Sequence, residues 1–147
     1  MKRQTRLNLT TALIVDAVNR VLMVRKCGTE YFMQPGGKIG QGETAEQALI
    51  REIQEELGVK ITSEQCCFLG AFSCQAANEP DTVIDAKLFF VEENLSPEAY
   101  VPSGEIEEVK WVDPFHRLAV RLAPYSEIHV LPLWRQLVRE RDAGVGF

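Results

Sequence analysis

The sequence predicts a mixed α/β fold, a single domain over residues 1–147 in which helices cover a β-sheet whose connections are partly hairpins. Three observations carry this. Short β-branched, apolar runs flank one long stretch free of Gly and Pro, a second helix-like stretch closes the chain, and 147 residues suit one hydrophobic core and leave no room for a second full domain.

Residues 7–18 (LNLTTALIVDAV) and 21–25 (VLMVR) read as two strands of an antiparallel hairpin turning at Asn19-Arg20. Residues 26–42 hold Gly28, Pro35, Gly36, Gly37, Gly40 and Gly42, so a loop is expected there, with no element longer than the short stretch 31–34. From 44 to 57 (TAEQALIREIQEEL) strong helix formers dominate and Gly58 stands where a C-terminal cap belongs. Strands follow at 66–76 and 82–91 around a turn at Asn78, Glu79, Pro80 and Asp81, and another near 106–112. Residues 126–142 read as the closing helix, capped by Ser126, with Pro132 bending its first turns or delaying its start.

Composition narrows the function. The chain is 46% hydrophobic and 25% charged, enough apolar content for a core without disulfide or metal staples. Sixteen Lys and Arg against 21 Asp and Glu give a net charge of −5, the wrong sign for an electrostatic clamp on nucleic acid or anionic lipid. Free nucleotides bound through a metal stay open. Cys27, Cys66, Cys67 and Cys74 form no CxxC pair and read as reduced thiols in the cytoplasm. The basic start MKRQTR leads into an apolar stretch broken by Asn8, Thr10 and Thr11, read as a first strand and not as a signal peptide, and no run is long enough to span a membrane.

The helix at 44–57 carries the chemistry. At about 100° per residue, Glu52, Glu55 and Glu56 share an arc of roughly 100° beside an apolar face of Leu49, Ile50, Ile53 and Leu57. Ala45 and Ala48 lie under that arc and leave room for something to approach. Like charges at these spacings repel by a few tenths of a kcal/mol per pair, and two of them sit at the negative end of the helix dipole. A hard cation would offset both effects, since Mg²⁺ typically takes one or two carboxylates plus water and phosphate oxygens. The plain alternative is a solvated acidic face, or one that meets a basic partner protein. In front of the helix, Pro35-Gly36-Gly37 can turn sharply and bring backbone close to a ligand. GGKIGQGET lacks the Lys-Ser/Thr of a P-loop.

Read together, Gly37, five residues, Glu43, seven residues, Arg51-Glu52, Ile53, Gln54, Glu55-Glu56, Leu57, Gly58 and Val59 match the Nudix box GX5EX7REUXEEXGU at every fixed position, U being apolar. A chance match is on the order of 10⁻⁸ per starting position at average composition. The chain thus resembles the Nudix hydrolases, which fold as a mixed β-sheet sandwiched between helices and cleave a diphosphate in a nucleoside diphosphate linked to another group.

The resemblance implies that Glu52, Glu55 and Glu56 hold Mg²⁺ or Mn²⁺, with the Gly36 carbonyl and Glu105, in the loop before a late strand, as further ligands. It implies a catalytic set of Glu52, Glu55, Glu56 and Arg51, with Glu52 the leading general base. Arg51 would orient a box glutamate, Glu43 would tie the loop to the helix, and Gly37, Glu43 and Gly58 would be structural. Arg25, Tyr125 and Glu127 are expected toward the substrate, a small nucleotide such as a nucleoside triphosphate or nucleotide sugar. A homodimer accords with the family, and the alternative is a non-catalytic Nudix domain that senses a nucleotide. Trp111 is expected in the core, and His116 and His129 lack ligand-pair spacing.

Subfamily markers are mostly absent. No Pro follows the box before Pro80 and no Tyr before Tyr100, which lowers the ADP-ribose and diadenosine polyphosphate readings; Arg25 alone between Val21 and Pro35 lowers the coenzyme A reading. The acidic excess is concentrated. Residues 43–58 hold five acids and one base and residues 104–113 four acids and one base, so the rest of the chain is slightly basic.

Overall fold

The computed structural model describes residues 4–92, 95–116 and 119–144. Its elements are β1 (Thr5–Leu13), β2 (Val21–Lys26), β3 (Phe32–Met33), β4 (Gly36–Lys38), α1 (Ala45–Leu57), β5 (Cys66–Gln75), β6 (Thr82–Val91), β7 (Ile106–Val112) and α2 (Leu131–Asp142). They form two sheets, one ordered β4-β1-β6-β5 and one ordered β3-β2-β7. β1 and β6 run parallel, the other pairings between these strands are antiparallel, and Phe32 of β3 makes one parallel bridge to Leu122.

Strand alternation builds two cores, one under each helix. Ala12, Ile14, Leu22, Val24, Phe89 and Val91 pack with Leu49, Ile53 and Leu57 of α1. Their chain neighbours Leu13, Val21, Met23 and Leu88 pack with Leu131, Trp134 and Val138 of α2. This explains the unbroken apolar runs of β1 and β2, whose residues from Ala12 to Ile14 and from Val21 to Val24 are covered on both faces. Each fully buried Leu or Ile on α1 contributes roughly 1.5–3 kcal/mol by leaving water.

Helix α1 is bounded as its sequence predicts. Thr44 Oγ1 accepts the Gln47 N–H, the Gln47 side chain accepts the Thr44 N–H, and Gly58 closes the helix at φ 68° with its N–H on the Gln54 carbonyl. The β5–β6 hairpin also follows the sequence reading, turning through Asp81 at φ 53°.

Three expectations change. The 7–18/21–25 hairpin is reduced to a bridge between Val15 and Val21. β1 pairs with β4 and β6 while β2 pairs with β3 and β7, so the turn held by Asp16 passes the chain from one sheet to the other. The glycine loop contains a strand, since β4 pairs Gly36 with Thr11 and Gly37 with Thr10. Gly36 makes this fit at φ 144°, where a Cβ would stand 2.1 Å from the Thr10 carbonyl oxygen. Ser126 is no N-cap. Residues 124 and 125 are already helical, Ser126 is fully buried, and a wide π-type turn over Ser126–Val130 leads into α2. There the Leu131 N–H reaches back to the Ser126 carbonyl, a spacing that accommodates Pro132, which has no N–H to give.

The four cysteines are free. Among the described residues no helix is long and apolar enough to cross a membrane.

Candidate active site

The carboxylates of α1 divide by position on the helix. Glu56 is 5% exposed, and its Oε1 accepts the Gly36 N–H at 2.8 Å. Burial pushes its carboxyl up to about 8; the Gly36 N–H and Lys26 act against this, and the charges of Glu52 and Glu105 add to it. Glu52 lies beside Gly37, where a Cβ would meet its carboxylate at 2.5 Å. Glu55 is exposed. Ala48 is fully buried, so the room expected above it is filled by protein, whereas Ala45 is half-buried and its carbonyl accepts a hydrogen bond from Thr10 Oγ1 at 2.8 Å.

Arg51 ties the loop to the helix. Its Nε and Nη2 donate to both oxygens of Glu43 at 2.9 and 2.8 Å, Nη1 donates to Glu52 Oε1 at 2.8 Å, and Nη2 also reaches the Lys38 carbonyl at 3.2 Å. The Arg51 fork and the Gly40 N–H hold the Glu43 carboxyl down to about 2. Bonds to Glu43 and then Glu52 raise the Arg51 guanidinium above its already high ordinary value.

The loop before β7 docks on the end of α1. The Ser103 and Val101 N–H groups donate to the Glu56 and Leu57 carbonyls at 2.9 and 3.3 Å, satisfying the last turn of the helix. Glu105 is exposed, its carbonyl accepts the Cys27 N–H at 2.8 Å, and its charge is felt at Glu56. Among the described residues no three His, Cys, Asp or Glu side chains are gathered as a ready ligand set. Glu52 is bonded to Arg51, and Glu56 accepts the Gly36 N–H.

A cavity of about 270 Å³ opens on the other side of β4. Leu7, Leu9, Met33, Ile84 and Tyr125 give it apolar walls; Gly36, Gly37 and Lys38 form one side, and Lys26 and Gln34 contribute to the lining. Tyr125 is buried, with its hydroxyl 2.7 Å from Thr11 Oγ1. Arg25 and Glu127 are not in this lining. The Arg25 guanidinium bonds Glu108 Oε1 and the Thr29 carbonyl over the Phe32 ring, and Glu127 is exposed. The sequence reading missed Gln34, Lys26 and Lys38 in this cleft. Nearness to Gly36 and Gly37 was the one signal available for Gln34 and Lys38, and Lys26 carried none.

A model of the NUDIX domain matches residues 6–129 of this chain. The chain belongs to the Nudix family. This Nudix protein is 34% identical over 97 residues, 63% of its length and 82% of the relative's, to an 8-oxo-dGTP diphosphatase of Proteus vulgaris. It is 36% identical over 64 residues to an ADP-ribose pyrophosphatase of Methanocaldococcus jannaschii, a match spanning 39% of this chain and 38% of the relative. Its fold resembles the crystal structure of a MutT protein from Methanosarcina mazei Go1, with a TM-score of 0.72 at 19% identity over 96% of this chain and 99% of that one. The family and the fold read from residues 37–59 are thereby established, and with them the enzyme class. The protein is a Nudix pyrophosphohydrolase, acting on phosphorus anhydrides.

Proposed function

We propose that this Nudix hydrolase cleaves the diphosphate linkage of a small nucleotide, a nucleoside triphosphate or nucleotide sugar, with Mg²⁺ or Mn²⁺ held by Glu52, Glu55, Glu56, Glu105 and the Gly36 carbonyl. The observation that carries this reading is the double role of β4. Gly36 fixes the buried Glu56 carboxylate through its N–H, and Gly36, Gly37 and Lys38 also wall the cleft. A nucleotide seated there would bring its phosphates to the acidic end of α1.

The donor set fits a hard divalent cation, because it is all oxygen and because Glu56 is buried beside other carboxylates with Lys26 as its opposing cation. When bound, such ions supply charge neutralisation at the phosphate oxygens and acidify a bound water. The chain's own residues do the rest. Arg51 orients Glu52 while its fork to Glu43 fixes the loop. Glu52 accepts the proton of the attacking water, Lys26 and Lys38 meet phosphate charge, and the apolar cleft receives the base. The net charge of −5 supports a free nucleotide over a nucleic acid, and the four free cysteines support a cytoplasmic setting.

The test is a hydrolysis screen over nucleoside triphosphates, nucleotide sugars, ADP-ribose and dinucleoside polyphosphates, with and without Mg²⁺ or Mn²⁺, and with product identification. Metal-dependent release of a nucleoside monophosphate from triphosphates or nucleotide sugars is expected. No turnover of any of these with either metal would defeat the reading.

A further inference from the structure

One residue lining the cleft carries a buried polar atom that has no partner among the described residues. Gln34 is 4% exposed, and its Nε2 donates to the Ala12 carbonyl at 3.1 Å. That bond fixes which end of the amide is which, since the reverse orientation would set two oxygens against each other. Its Oε1 is buried and has no hydrogen-bond partner among the described residues, a state that costs free energy unless something donates to it.

Tyr125 adds a second acceptor on the same cleft. Thr11 Oγ1 donates its single proton to the Lys87 carbonyl at 3.0 Å, so the 2.7 Å contact between Thr11 Oγ1 and the Tyr125 hydroxyl must use the tyrosine's proton. The Tyr125 oxygen keeps only acceptor capacity for a ligand. Gln34 Oε1 and Tyr125 Oη both accept, and both residues line the cleft among Leu7, Leu9, Met33 and Ile84. At about 270 Å³ the cavity falls below the usual range of about 300–1,000 Å³ for whole ligands. It suits the flat base of a nucleotide and leaves the phosphates outside.

We propose that Gln34 is a specificity-determining residue of this cleft, its Oε1 accepting a hydrogen bond from an exocyclic amino group of the substrate's nucleobase. The inference rests on the reading of the cleft as the nucleotide site. A base without that amino group leaves Oε1 buried and unpaired, and a site built to bond an N–H discriminates on that ground more strongly than an apolar wall discriminates on size. Gln34 acts on binding and selection, with no part in the bond-breaking step.

The experiment uses matched nucleotides that differ by one amino group: GTP against ITP, ATP against purine riboside triphosphate, and CTP against its 2-pyrimidinone analogue. Wild-type kcat/KM is expected to favour the amino-bearing member of at least one pair by roughly ten- to hundred-fold. In Gln34→Met that ratio falls to within about threefold of unity, as expected for loss of one buried acceptor. Wild-type binding of the matching monophosphates by calorimetry, without metal, is expected to show the same preference, and it needs no variant to fold. Ratios near unity in all three wild-type pairs, or a preference that survives in folded Gln34→Met, overturn the assignment while nucleotide hydrolysis stands. No turnover and no binding of any of these nucleotides overturns the reading of this cleft as the site of a nucleoside triphosphate, and the Gln34 role with it.

Discussion

The Gly36 N–H donates to Glu56 Oε1 at 2.8 Å, joining an edge strand to a carboxylate buried in the last turn of α1. The backbone beside the cleft and the proposed metal site are therefore one piece of structure. Gly36 is where they meet, pressed on Thr10 from one side and on Glu56 from the other.

Metal-free protein should lose stability as pH rises, because of Glu56. Burial raises its folded carboxyl to about 8 from an ordinary 4.5, so unfolding releases a proton between these values and stability falls from about pH 4.5 to about pH 8 and then levels. Glu56→Gln keeps an oxygen for the Gly36 N–H and removes the charge. Thermal melting in EDTA at pH 8.5 should place the variant about 5 °C above wild type, converging by pH 4.5. Parallel melting curves across this range would remove the buried charge from the account.

Glu43 contributes to the acid limb with the opposite sign, beside Asp85 and Asp113, whose carboxyls are also held below their ordinary range. The Glu43 carboxyl is held at about 2 against an ordinary 4.5, so its contribution is complete above 4.5 and is lost as pH falls through 2. Glu43→Gln should reduce the wild-type fall in melting temperature between about pH 4.5 and 2, and equal slopes in both proteins would refute the assignment.

Gly36→Ala and Gly37→Ala should separate cleanly. At Gly36 the new Cβ meets the Thr10 backbone at φ 144°, a strain that neither strand can relieve, and a loss of more than about 2 kcal/mol is expected by chemical denaturation. At Gly37 the three atoms nearest the Cβ all belong to the carboxylate end of the Glu52 side chain. Stability should change by less than about 1 kcal/mol while kcat falls on the order of tenfold, because Glu52 is displaced. Equal destabilisation by both substitutions would contradict this division.

Arg51→Lys should show that the fork matters beyond its charge. Arg51 bonds both Glu43 oxygens and Glu52 at once, and an ammonium point charge cannot hold that geometry. A fall in kcat of on the order of tenfold or more is expected with the fold retained, read by steady-state kinetics and circular dichroism. Full activity in Arg51→Lys would assign the residue a purely electrostatic part.

Helix α1 was legible because its signals are local. Thr44, Gln47 and Gly58 act within a few residues, and the spacing from Gly37 to Val59 carried the family directly. Strand β4 was illegible because its glycines read as breakers, and only contact with Thr10 and Thr11, some 26 residues earlier in the chain, makes them a strand. The β1–β2 reading failed likewise, since alternation places residues on faces but does not say which strand lies beside which. Ser126 looks like a cap in sequence, and its burial behind an earlier helical turn shows only in three dimensions. Gln34 carries no motif; only the folded structure places it in the cleft lining with a buried oxygen that has no partner among the described residues.

The central claim is that the carboxylates on α1 serve a metal-dependent hydrolysis. The most direct test is nucleotide turnover at increasing Mg²⁺ by wild type and by Glu56→Gln, with circular dichroism confirming that both are folded. A loss of about a thousandfold or more in the folded variant, together with turnover by wild type that vanishes in EDTA, is the expected result. Wild-type rates from folded Glu56→Gln would contradict it.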